Sequence, residues 1–523
     1  MRLGFETFRD CSGQPTQQLT VIRLIPANIV HACFDPLPNV TSMPPCSRGS
    51  RMSKMEVIGK PRAAANRTAA RPELAGPKAP AKPLSFFAAL RAMNVNPLAT
   101  IPVMAYEQPF WEAKSMFGNQ LLVSDPAGIK RILLDNVTNY PKAALDVRVL
   151  GTAFGDGLLT SDGDKWRTHR RLMSPSFDYR SIASYVPVIT DAAEARLEAW
   201  DAIGENAEID VAREMVTLTL EVISRTMFST DSDALRSRLD EMFRKGLAEL
   251  SFGLQHVAPL IGPFLLNRKL ARIRANFQAV DAVMQKLIRG REKRAGSAPK
   301  DLLDCLIAAT DSETGLRITD EGVRDEVIII FLAGHETSAL AATYVWYLLS
   351  LHPEEEAKLH AELDTVLGGR VPTYDDLVKL SYTRMVIEEA MRLYPPAPML
   401  TSRVAREADE IRSHSIGKGT EIAILPWVVH RHRTLWDDPD CFDPERFSRE
   451  RSTTRPRFAY MPFGGGPRIC IGAQLALTEV SLLVATMAQR YRLKLVPRQD
   501  IVLLHRVTLR PRDGIRMQLE RRK

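Results

Sequence analysis

One cysteine in this chain sits in a setting suited to chemistry. In "FGGGPRICIG", Phe463 to Gly472, three glycines (Gly464, Gly465, Gly466) precede Cys470, and an apolar run at helical spacing follows. Glycines take backbone dihedrals closed to other residues and allow close approach to a flat ligand. Pro467 stiffens the exit of the turn, and Arg468 adds a permanent positive charge. A phosphate-cradling loop would end in Gly-Lys-Ser/Thr, and a dinucleotide fingerprint would need glycine where Ile469 stands, so neither fits. At a helix N-terminus the dipole and free N–H groups stabilise a thiolate. A lone thiolate on a glycine platform suits an axial ligand of heme iron. The plainer alternative is a buried cysteine in a turn.

Three other constellations bear on that choice. "AGHETS", Ala333 to Ser338, interrupts an apolar segment running from Thr319 to Leu351. About 30 helical residues would span roughly 45 Å, and a helix apolar all round belongs in a core. Gly334 weakens such a helix, and Thr337 can turn its hydroxyl to an i−4 carbonyl and bend it. A locally opened helix bearing Glu336 and Thr337 could carry a small ligand and a proton relay; a satisfied polar patch is the alternative. The zinc motif H-E-x-x-H fails, because Ala339 holds its last position. In "EEAMRLYPPAP", Glu389 and Arg392 share one helix face. With Arg446 of "CFDPERF" they could form a bidentate network that holds the loop before Cys470. In "GDKWRTHRRLM", Trp166 and Arg170 stand at i, i+4, able to grip an acidic ligand. Arg167, His169 and Arg171 widen the positive charge there.

These residues need a scaffold. The chain has 523 residues, 45% apolar, with 70 basic against 62 acidic side chains. The net charge of +8 does not require nucleic acid, and no basic stretch with interleaved aromatics lies outside the N-terminal tail. Six scattered cysteines form no C-x-x-C pair, which fits a reducing, cytoplasmic compartment rather than a disulfide or zinc framework. Leu19 to Phe34 is apolar but carries Arg23 and Pro26, so no transmembrane anchor is expected. Residues 1–82, basic and rich in Ala and Pro, are expected to be a disordered extension, with Met52 or Met55 as alternative translation starts.

Residues 83–523 read as one domain. Helices are expected over Asp191–Ala202, Val211–Phe228, Ser232–Glu249, Leu270–Arg294, Thr319–Leu351, Pro353–Leu367, Ser381–Leu393 and Ala473–Tyr491. Strands are expected at "QLLVSD", "EIAILP", "RYRLKLVP" and "GIRMQLERR". The fold class is therefore mainly α with a small β-rich region.

In this order, the motifs resemble the cytochrome P-450 superfamily, from about Leu84 to Leu519. "FGGGPRICIG" is similar to its heme loop F-G-x-G-x-R-x-C-x-G, "AGHETS" to its oxygen-binding helix, "EAMR" to its E-x-x-R helix and "WRTHR" to its W-x-x-x-R helix. The resemblance implies the cytochrome P-450 fold with heme b, and Cys470 as the metal ligand. It implies that Trp166, Arg170, Arg403 and Arg468 bind the propionates, and that Phe463, Gly464 and Gly472 pack around the ligand loop. Ala333, Gly334, Glu336 and Thr337 would line the distal side, with Thr337 and Glu336 relaying protons. Glu389, Arg392 and Arg446 would form the structural triad. The implied activity is heme-dependent monooxygenation of a hydrophobic small molecule. No flavin or iron–sulfur segment is recognised before Lys523. Electrons are thus expected from NAD(P)H through a separate ferredoxin or flavodoxin-type donor and its reductase, with the donor docking on the cationic helix at Arg167 and Arg171. A soluble, bacterial-type monomer is expected. The rival activities are a heme-thiolate peroxygenase or isomerase, and a non-catalytic heme sensor. Substrate selectivity is expected in the loop Ala143 to Phe154, in residues 250–269 and after Pro398.

Overall fold

The computed structural model describes residues 72–115, 118–229, 262–292, 301–311 and 314–522, with Glu241 and Lys245. Expectations for residues 1–71, and most of the helix expected over Ser232–Glu249, lie outside these. The principal helices are α1 (Phe86–Val95), α2 (Ala144–Phe154), α3 (Gly163–Met173), α4 (Tyr179–Ile203), α5 (Val211–Phe228), α6 (Gly262–Glu292), α7 (Asp320–Leu351), α8 (Pro353–Val366), α9 (Ser381–Leu393) and α10 (Ala473–Ala488).

α7 sets the layout. Thr319 caps it by accepting the Gly322 N–H at 3.1 Å. Its apolar length alone would suit a membrane, but most of it is buried, as in a core helix. α5 lies against it, and the Thr219 hydroxyl donates to the His335 carbonyl across the contact at 2.8 Å. Gly334 belongs to the same packing, because a Cβ there would stand 2.9 Å from Ile223 Cδ1. Further along α7, Tyr344 stacks on Tyr394 at 4.5 Å and donates to the Leu509 carbonyl at 2.9 Å.

The β-part is small. Strands Phe110–Ser115, Gly118–Val123, Glu421–Ala423 and Arg403–Val404 form one sheet in that spatial order. A second sheet joins Glu208–Asp210, Arg516–Arg521 and Tyr491–Leu495, and a hairpin joins Leu503–His505 to Leu509–Pro511. Residues before 83, placed by sequence outside the domain, still reach it. The Ala75 N–H donates to Tyr347, and the Tyr394 hydroxyl donates to the Ala75 carbonyl.

α5 and α9 have the bounds expected from periodicity. α4 starts twelve residues earlier than expected and runs through Pro187; buried Ile182, Val186 and Ile189 hold both sides of the proline in one packed helix. α10 stops at Ala488, since Tyr491 already begins a strand. The expected loop from Ala143 to Phe154 is instead the helix α2, ended by Gly155.

Glu389 and Arg392 are fully buried and pair bidentately, at 2.6 and 2.8 Å. Arg392 also donates to the carbonyls of His430, Pro439 and Cys441, while Glu389 accepts the Asp443 N–H and faces Arg446 Nε at 3.4 Å. His430 Nε2 in turn accepts the Met461 N–H at 2.9 Å, and the Tyr460 hydroxyl donates to the Glu388 carbonyl at 3.0 Å. The chain leading to Cys470 is thereby fastened to α9. Removing one partner of a buried ion pair leaves an uncompensated charge, so Arg392→Ala should lower the unfolding free energy by ~3–5 kcal/mol, read from urea denaturation.

Candidate active site

The cysteine loop is closed by its own backbone. The Cys470 N–H donates to the Phe463 carbonyl at 2.9 Å, and Gly464 and Gly466 have φ of +74° and +69°. At Gly466 a Cβ would stand 1.9 Å from the Leu133 carbonyl oxygen, so the chain passes where no side chain fits. Gly472 begins α10 and gives its N–H to the Cys470 sulfur. Cys470 lies deep in the protein, yet its side chain opens onto a cavity of about 490 Å³. Burial pushes its thiol above the ordinary value, opposed by the Gly472 N–H and the Arg170 charge. The helix N-terminus and Arg170 thus favour the thiolate against burial, and a metal cation bonded to the sulfur would act in the same direction.

Cations gather around the same cavity. Trp166, Arg170, Arg403, Phe463, Gly464, Arg468 and Gly472, the candidate cofactor-binding residues, all line it. Arg468 lies 4.4 Å above the Trp166 ring, donates to the Ser161 carbonyl at 3.1 Å and pairs with Asp162. Arg170 donates to the Ile469 carbonyl at 2.7 Å. Arg403 is buried, and its Nε has no hydrogen-bond partner. Sequence reasoning missed Lys142, which pairs with Arg403 across an isolated β-bridge and donates to the Leu159 and Ser161 carbonyls. Burial, then Arg468 and Arg403, pull the Lys142 ammonium down to about 7; burial takes Arg403 and Arg468 each to about 10. Grouped cations depressed in this way call for anions, and the orphaned Arg403 Nε is an open donor for one. The donor set would suit the two carboxylates of heme, with Cys470 as the residue that would ligate the metal.

On the opposite wall, α7 contributes Ile329, Ile330, Ala333, Gly334 and Thr337. The expected opening of this helix is not seen; it is α-helical throughout. Thr337 turns its hydroxyl to the Ala333 carbonyl at 2.6 Å, which satisfies the group without breaking the backbone ladder. Glu336 does not join the cavity wall. It accepts from the Thr508 hydroxyl at 2.8 Å and faces Arg510 at 3.6 Å.

Other groups missed from sequence also belong here. Glu326 is fully buried; it accepts the Leu158 N–H and meets His169 Nδ1 at 2.7 Å. Asp325 accepts the Asp156 N–H at 2.7 Å. Gly155, at φ +75°, makes that approach possible, since a Cβ there would lie 2.1 Å from Asp325 Oδ1. α7 thus clamps both α3 and the loop after α2. Burial pushes Glu479 of α10 up to about 8, eased by a hydrogen bond with Ser338. The predicted selectivity regions reach the cavity through Leu145, Val149 and Leu150 of α2, Leu266 and Lys269 of α6, and Met399 to Thr401. Residues 250–261 lie outside the described residues. The cationic face of α3 is largely compensated, with Arg167 on Asp164 at 2.5 Å, Arg171 on Asp311 at 2.5 Å and Lys165 on Asp156 at 2.8 Å.

The family described as Cytochrome P450 matches residues 83–517. Cyclooctatin synthase and cyclooctat-9-en-7-ol 5-monooxygenase of Streptomyces melanosporofaciens are each 38% identical over 352 residues, 66% of this chain and 74% of theirs. Putative cytochrome P450 132 of Mycobacterium tuberculosis is 33% identical over 414 residues, 76% of this chain and 87% of its own length. Among solved structures, the cytochrome P450DA heme domain aligns with a TM-score of 0.70 at 28% identity, covering 79% of this chain and 90% of that one.

The cation ring makes a direct prediction. Lys142→Met with Arg403→Met should leave a folded protein that holds markedly less heme per chain by the pyridine hemochrome assay. Equal heme content would remove both residues from the propionate site.

Proposed function

This chain belongs to the cytochrome P450 family, and we propose that it works as a monooxygenase whose heme b is ligated by Cys470. The observation that carries this reading is Cys470 opening onto an apolar cavity inside a ring of under-neutralised cations. When bound, the heme supplies O₂ activation and insertion of one oxygen atom into substrate.

The chain's own residues do the rest. Trp166, Arg170, Arg403 and Arg468, with Lys142, hold the propionates and so fix the plane of the group. The Gly472 N–H and Arg170 offset negative charge on sulfur. Ile329, Ile330, Val222 and Ile223 line the cavity with apolar surface and keep bulk water from the reacting centre. Thr337 holds a proton at Oγ1, which points to the Ala333 carbonyl at rest and can rotate into the cavity. Glu336 holds the outer end of the relay: its carboxylate sits with Thr508 and the half-buried Arg510, and must swing inward to reach Thr337.

The substrate is a hydrophobic small molecule, in keeping with the apolar lining. By its name, one relative oxygenates position 5 of cyclooctat-9-en-7-ol. Electrons come from NAD(P)H through a separate ferredoxin or flavodoxin-type protein and its reductase. The enzyme acts as a cytoplasmic monomer, and the scattered cysteines, none in a C-x-x-C pair, suit that compartment.

Three outcomes test this reading. Cys470→Ala should abolish the carbonyl spectrum of a thiolate-ligated heme; a retained spectrum refutes the ligand assignment. Thr337→Ala should spend reductant without matching product, measured as product formed per NAD(P)H consumed; unchanged coupling removes Thr337 from the relay. Stopped-flow reduction by an acidic donor should slow as salt rises, though modestly, because the α3 cations are already paired.

A further inference from the structure

The cavity wall carries a further cation. Arg506, in the bend of the 503–511 hairpin, lines it. Arg506 is set in place by backbone. Its Nη1 donates to the Asn94 carbonyl at 3.0 Å, and its N–H donates to the Thr508 carbonyl at 3.1 Å. No carboxylate pairs with it among the described residues. Burial and the repulsion of Arg510 both disfavour its charged form. Arg510 itself is engaged with Glu336.

The acids lining the cavity are not available to Arg506. Glu326 is taken by Leu158 and His169. Asp146 accepts the Ser402 N–H, and burial pushes its carboxyl up. Glu479 is held up at about 8, so at neutral pH it is mostly uncharged. A guanidinium fixed by backbone carbonyls, with donors to spare and no counter-ion, is a carboxylate receptor. Asn94 and Val95 at the end of α1 are exposed, so Arg506 bridges the cavity and the surface. There an anion can bind while keeping part of its hydration, which lowers the cost of desolvation.

We propose that the substrate is an amphiphile with one anionic, carboxylate-type terminus, held by Arg506 where α1 meets the 503–511 hairpin, with its apolar body reaching toward Thr337 and Cys470. This rests on the monooxygenase reading and adds the substrate class. It also sets the direction of entry: the carbon atoms presented to the reacting centre are remote from the carboxylate.

The test uses the heme-loaded full chain and spin-state titration with tetradecanoic acid, its methyl ester and the matching alcohol. A bond between charged groups predicts about tenfold or more tighter binding of the acid than of the ester. Arg506→Gln should bring the acid down to the level of the ester and leave the ester unchanged, while Arg506→Lys should keep part of the preference. Equal affinity of acid and ester in the wild type overturns the proposal, independently of any variant. So does an equal loss for both ligands in Arg506→Gln, or a neutral ligand shifting the spin state where no acid of 10 to 16 carbons does. The carbonyl spectrum of the same samples separates this failure from that of the parent reading: a thiolate-type spectrum with no acid preference overturns only the anionic terminus, whereas its absence overturns the monooxygenase assignment.

Discussion

The rest of the structure answers to one constraint, that Cys470 opens onto a cavity where burial works against a charged sulfur. Burial alone drives the Cys470 proton the wrong way. Two local groups oppose it, the Gly472 N–H from α10 and Arg170 from α3, and both must be held within reach of one atom. The glycine turn brings the loop into contact with the Leu133 backbone, and the Phe463–Cys470 hydrogen bond closes it. A metal bonded to the sulfur, as proposed, would act in the same direction.

Positioning is shared between two buried anchors. On one side the Glu389–Arg392 pair fastens α9 to the chain around residues 430–446, and through His430 to Met461. On the other, Asp325 and Glu326 grip the loop after α2, and His169 brings α3 to the same carboxylate. α3 carries Trp166 and Arg170, and α7 carries Thr337. Glu326 thus ties the two walls of the cavity together, and its buried oxygens are satisfied by partners fixed in the fold.

The readable part of this arrangement is the part written at short range. The glycine loop and its cysteine lie within ten residues, Glu389 and Arg392 within one helical turn, and Trp166 and Arg170 within two. α7 announced itself by its apolar length. What could not be read joins ordinary residues across the fold. His169 meets Glu326 over 157 positions, and Arg506 reaches Asn94 over 412. Lys142 looks like any lysine until Arg403 and Arg468 close around it. Strands of two or three residues are too short to alternate, and they are defined by the partners they pair with rather than by a pattern of their own. Glu336 was identified by type but not by direction: one helical position places it toward Thr508 instead of the cavity.

His430 takes the Met461 N–H on Nε2, so its ring must carry its one hydrogen on Nδ1. Complete burial and the neighbouring guanidinium groups of Arg392 and Arg431 hold it well below the usual imidazole range. The residue type that ordinarily senses mild acidification is here locked into a single tautomer and serves as a fixed acceptor. The hydrogen bond that holds the chain ahead of the cysteine loop is thereby insulated from mild changes of pH.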